Sequence, residues 1–189
     1  MAHNSTRNTA IAVLAFALSA GIAPLTANAQ SGSATASGAA TMGHTITKKD
    51  KKYLVSDAQG AMYELALAKA GADKATDPKV RQYAQMLVDD HDRFNAALIQ
   101  LGQEEGVTLP TTMTAKDQAR LTRVTALSGA AFDKAFVKEA VRINKQDAKE
   151  SEKESAQTED TKITQFIQQF VDVDKKHLSG AEALMAAMK

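Results

Sequence analysis

From Ile46 onward apolar residues recur at intervals of three and four, with charged and polar residues between them. That rhythm predicts amphipathic helices rather than strands, and prolines interrupt it only at Pro78 and Pro110. The first helix is expected from about Lys49 to Ala72, with Leu54, Ala58, Ala61, Leu65 and Ala68 inward. A second starts at an Asp77 cap followed by Pro78, whose missing N–H costs nothing at a first helical position. Its stripe is Val80, Tyr83, Leu87, His91, Phe94, Leu98 and Leu101, and it ends at Gly106.

A short helix follows from a Thr114 cap to Leu127, then "SG" at Ser128 and Gly129. The third long helix spans roughly Ala131 to Gln157, with Phe132, Phe136, Ala140 and Ile143 inward. Asp160 caps the fourth, whose stripe runs Ile163, Phe166, Ile167, Phe170, Val173, His177, Ala181, Leu184 and Met188. Long amphipathic helices must bury their stripes against one another, so the fold class is all-α, a four-helix bundle. Short links make the first and second, and the third and fourth, antiparallel hairpins. The Gly106 to Ala130 connection, with its own short helix, is long enough to travel the roughly 40 Å length of a bundle. One long crossover between two hairpins is the ferritin-like arrangement, and an up-down bundle with an ornamented loop is the alternative.

The stretch "NKQDAKESEKESAQTED", Asn144 to Asp160, offers only Ala148 and Ala156 to a core. It is expected to be a solvated helix beyond or along the edge of the core, or a partner-facing end.

Candidate chemistry sits on the stripes. His91 and His177 occupy apolar faces near the middle of their helices; Glu64 lies mid-helix on the first, Asn144 and Asp147 on the third, and Asp174 three residues before His177. An acid-x-x-His step lets a carboxylate and an imidazole reach one metal ion, as in di-metal bundles. A full di-metal site needs that step twice, and Val88 stands three before His91, while Asp89 and Asp90 are expected to point elsewhere. The candidate metal ligands are Glu64, His91, Asp147, Asp174 and His177, for a divalent transition ion such as zinc, iron or copper. The competing reading is structural: buried ring nitrogens need partners, such as Glu64, Asp174, Tyr63 or backbone carbonyls, and so fix helix register. No catalytic residue is identified, since the chain has no cysteine, nucleophile elbow, phosphate-binding loop or HExxH.

Before the helices, residues 1–29 carry Arg7 as their one charge, an apolar run from Ala10 to Ala23, and "ANA" at 27–29. That order reads as a cleavable signal peptide, and the run is too short for a membrane span. Residues 30–45 are rich in Ser, Gly, Ala and Thr and read as a flexible leader, leaving 46–189 as the folded domain. The expected location is therefore periplasmic or secreted. Leaving out Arg7, 22 basic residues stand against 22 acidic ones with no basic cluster. That balance argues against nucleic acid, and leaves an envelope protein or a second copy of the chain as the candidate partner.

The segments from "YLVSDAQGAMYELALAKAG" through "MLVDDH", with "LSGAAFDKAFV" and "HLSGAEAL", resemble the bacterial exported family called domain of unknown function 4142. The resemblance runs from Asp50 to about Leu184 and implies a ferritin-like helical domain, with no activity attached. It marks Glu64, His91 and His177. Members typically have a histidine where this chain has Asn144, and a Leu-Pro step where it has Val171 and Asp172. The expected function is that of an exported, non-enzymatic binding or stress-related bundle. The alternative is a metal-binding or redox protein with a mid-bundle His/carboxylate site.

Overall fold

A computed structural model describes residues 46–188. The signal peptide and leader assigned from the sequence lie outside the described residues. Five helices follow in order: α1 (Lys48–Lys74), α2 (Pro78–Glu104), α3 (Ala115–Thr125), α4 (Gly129–Ser155) and α5 (Thr161–Ala187). Four of them are 27 residues long. Among the described residues no strand is present, and no helix is long and apolar enough to cross a membrane.

Side-chain oxygens start most of the helices. Thr47 accepts from the Asp50 amide while the Asp50 side chain answers the Thr47 amide, a reciprocal cap. Asp77, Thr114 and Asp160 cap α2, α3 and α5 as their sequences predict. The end of α2 is a Schellman motif: Gly106, at φ 63°, lets its own N–H reach Gln103 O and the Val107 N–H reach Gly102 O at 2.8 Å.

α1 packs on α2 and α4 on α5, and the two pairs meet through α2 on α5 and α1 on α4. Directions follow from the cross-links. Lys49, at the start of α1, pairs with Glu154 at the end of α4, and Lys162, at the start of α5, with Glu104 and Glu105 where α2 ends. Both of those pairs are thus antiparallel, which leaves α2 and α4 parallel and obliges the connection to travel the bundle's length. α3 makes that journey against α1 and α4. At the far end the Asp133 carboxylate of α4 accepts from the Thr76 amide and hydroxyl and the Asp77 amide at 2.5–3.0 Å, tying the α1–α2 turn to the second hairpin.

The core falls into two apolar clusters. One holds Tyr63, Leu67, Leu87, Phe132, Phe136, Val137 and Ala181; the other holds Leu54, Ala58, Leu98, Ile163, Phe166 and Phe170. α4 contributes no buried residue to the second cluster, because its C-terminal half lacks large apolar side chains. That half departs from the sequence expectation. Ala148 and Ala156 are exposed, while Asn144 and Glu154 are 4% exposed each. For Glu154 the reason is the neighbour: α1 presents Lys49 and Asp50 there. Burial, and then contact with Asp50, raise the Glu154 carboxyl above its ordinary value. Leu65, expected inward, is half-buried, since α1 turns Tyr63 and Leu67 into the core instead.

Candidate functional site

Between the two apolar clusters all four long helices place polar residues. α1 brings Asp57 and Glu64, α2 brings Asp90 and His91, α4 brings Asn144 and Asp147, and α5 brings Asp174 and His177. Both imidazoles are inside, His91 8% and His177 2% exposed, and their ring centroids are 5.5 Å apart. The mid-helix positions that the sequence singles out thus do meet at one level.

The pairing is specific. His91 Nε2 lies 3.3 Å from Glu64 Oε2 across the α1–α2 contact. His177 Nε2 lies 2.9 Å from Asp90 Oδ2 across the α2–α5 contact. Asp90, expected to point away, is 7% exposed, whereas Asp89 does face solvent. A residue beside His91 is turned by about 100° around the helix, enough to leave the bundle axis and still face the adjacent α5. The Asp174–His177 step does not close as a pair. Asp174 instead lies within electrostatic reach of Glu64 and His91, which act on its titration after burial does. Tyr63, a candidate histidine partner, donates to Glu139 Oε1 at 2.8 Å. Tyr83 donates to the His177 carbonyl at 2.8 Å, and Asn144 donates to the Ala140 carbonyl at 2.8 Å.

Charge in this layer is unbalanced toward acid. Burial, then Glu64, push the Asp174 carboxyl up to about 6. Burial, then neighbouring carboxylates led by Glu64, raise Asp57 and Asp147 well above the ordinary range. Burial alone would lower His91, but Glu64, Asp174 and Asp90 outweigh it and hold the imidazole above its usual value. His177 goes the other way: burial dominates, His91 adds to it, and Asp90 only partly offsets the two. Asp90 itself stays below the ordinary range because His177, Arg93 and Lys176 together outweigh its burial. Carboxylates that repel one another in a poorly solvated layer hold protons that isolated ones release.

Two polar atoms of the layer, Asp57 Oδ2 and His91 Nδ1, are buried with no hydrogen-bond partner. A polar cleft of about 90 Å³ reaches the layer between α1 and α4, lined by Asp57, Glu64, Asp147 and Glu150 and edged by Thr114 and Asp117. Among the described residues no three His, Asp or Glu side chains form a set that could hold a metal ion. The groups that sequence reasoning passed over are Asp57 and Asp90. Nothing in their spacing sets them apart from solvent-facing acids; their burial depends on which helix lies opposite.

A crystal structure of a DUF305 fragment from Deinococcus radiodurans is similar in fold. Its TM-score is 0.66 at 11% identity, over 75% of this chain and 97% of the fragment. At that identity the likeness speaks to the helical fold alone. No curated protein matches the chain. The family described as a domain of unknown function, DUF4142, matches residues 33–184. That span takes in α1, α2, α3 and α4, most of α5 and every member of the acid–imidazole layer, and the chain belongs to the DUF4142 family.

Proposed function

We propose that the protein is an exported, non-enzymatic binding protein of the cell envelope, periplasmic or secreted, with a role in stress tolerance. Its acid–imidazole layer serves to hold protons and align the helices. The observation that carries this reading is that each imidazole Nε2 is already met by a carboxylate of another helix, Glu64 for His91 and Asp90 for His177. Both are pairings that lock neighbouring helices together. The order of basic residue, apolar run and "ANA" in residues 1–29 supports export.

The test is elemental analysis of untagged protein, followed by calorimetric titration with zinc, iron(II) and copper(II) on wild type, His91→Ala and His177→Ala. The expected result is no stoichiometric ion and no saturable heat that the substitutions remove. One ion per chain, lost in both variants, would overturn the reading.

A second reading has its own support. A divalent transition ion held by some of Glu64, His91, Asp147, Asp174 and His177 would supply a partner for the orphaned His91 Nδ1 and relieve repulsion among the acids. It requires side chains to regroup, because no three donors converge as the layer stands. The titration distinguishes the two.

A further inference from the structure

A cavity of about 600 Å³ lies apart from the acid–imidazole layer, between α1, α2 and the strap of residues 107–111 that follows α2. Its walls are Ala58 and Met62 from α1, Leu98 and Ile99 from α2, and Val107 and Leu109 from the strap. Asn95, Gln103, Thr108 and Thr111 add amides and hydroxyls, and no charged residue lines it. In a chain with 24% charged residues, an uncharged trough on a helix–helix groove is out of character with the rest of the surface. Ile99 stands 54% exposed there; among the described residues the other exposed large apolar side chain is Leu127, elsewhere on the surface.

The strap is held in place rather than draped. Gly106 turns the chain back, and the Val107 N–H bonds Gly102 O at 2.8 Å. Leu109 seats on Gly102 so closely that a Cβ there would lie 2.8 Å from Leu109 Cδ1. A glycine at 102 is what lets the outer wall stand against α2. On the floor, Ala58 and Leu98 are buried members of the second apolar cluster, so the trough reaches down to the core. A pre-built, mostly apolar space of this volume with a few polar groups has the character of a small-molecule site, and the flexible Met62 side chain suits a chain-like occupant.

We infer that this trough binds one uncharged, single-chain lipid of the monoacylglycerol class, its hydrocarbon along Ala58, Met62, Leu98 and Ile99 and its hydroxyl-bearing head against the amides and hydroxyls. With no cation in its lining the trough offers no ion pair to a carboxylate or phosphate head, and with no anion it offers none to a quaternary ammonium, which favours a neutral head. The site does not depend on the acid–imidazole layer. It names a ligand for the binding role and stands or falls without the metal titration.

The experiment uses N-phenyl-1-naphthylamine, a neutral apolar fluorophore, titrated into the untagged protein and displaced with 1-monomyristoylglycerol or with myristate. Saturable one-to-one binding is expected, displaced by the monoacylglycerol more readily than by the anion. Ile99→Glu, at an exposed position, should weaken it about tenfold by setting a charge in the apolar lining, and Met62→Trp should weaken it by filling the space. Lys138→Gln, exposed on α4, should leave it unchanged. Helical circular dichroism confirms that each variant is folded, and Ile99→Glu carries the test alone if Met62→Trp is not. No saturable binding, binding that survives Ile99→Glu, stronger displacement by myristate, or a dimer that closes the trough would each overturn the inference.

Discussion

The His177 ring bonds a carboxylate of the adjacent antiparallel helix, Asp90, at 2.9 Å, and not the Asp174 three residues before it on its own helix. Asp90→Ala therefore strands a buried ring nitrogen and should cost about 1–3 kcal/mol. Asp89→Ala, one position earlier and solvent-facing, should stay within about 0.5 kcal/mol. Urea unfolding followed by circular dichroism compares the two; equal effects would mean that the pairing is not what holds this contact.

Stability should rise on the acid side of neutrality. The Asp174 carboxyl is raised from 3.8 to about 6, so its favourable contribution is complete below 3.8 and is lost as pH climbs through about 6. Asp57 and Asp147 are raised too and act in the same sense, and His91, held above its usual value, loses its contribution as pH passes that raised value. His177 opposes them, because its lowered titration costs stability as pH falls below its ordinary 6.5. The bundle is expected to melt higher at about pH 5 than at about pH 8. Asp174→Asn should add roughly 1–3 kcal/mol at the higher pH and almost nothing near pH 4. Thermal melts of both proteins at the three pH values decide it.

Two glycines of α1 should respond to alanine with opposite signs. At Gly71 a Cβ would lie 2.5 Å from Phe136 Cε2 and 2.8 Å from Ala84 Cβ, so Gly71→Ala should destabilise by about 1–3 kcal/mol or more through overpacking. At Gly60 the nearest atom is Glu64 Oε1 at 3.8 Å, so Gly60→Ala should gain about 0.5–1 kcal/mol from helix propensity. Denaturant midpoints measured side by side would show the two shifts.

Asp133 satisfies three donors of the α1–α2 turn. Asp133→Ala is expected to cost about 2–3 kcal/mol, since bonds to a charged acceptor are worth more than neutral ones. The turn should open before the rest of the bundle, visible as faster amide exchange at Thr76 and Asp77. Unchanged exchange at those two amides counts against the clamp.

Much of this fold is legible in the amino-acid sequence. Asp77–Pro78, Thr114 and Asp160 announce helix starts by local chemistry alone, and a 25-residue connection with its own helix announces the crossover. His91 and His177 betray themselves by standing in apolar stripes. Asp57, Asp90 and Glu154 do not, because a charged residue at a stripe's edge looks the same whether it meets water or another helix. Asp90 becomes a partner only once α2 and α5 run antiparallel with His177 opposite, a fact of register between residues 87 positions apart. The inward turn of the polar end of α4 depends likewise on Lys49 and Asp50 lying across from Glu154.

The belt of acids and imidazoles between two hydrocarbon storeys also acts as a vernier. Were any one of the long helices to slip along its neighbours by a single turn, about 5.4 Å, ionisable side chains would enter a greasy storey and leucines or phenylalanines would land among carboxylates. Oil alone is indifferent to such sliding when every layer is greasy. Here the misaligned assemblies are penalised at two levels at once, and the chain is left with one height at which its four rods agree.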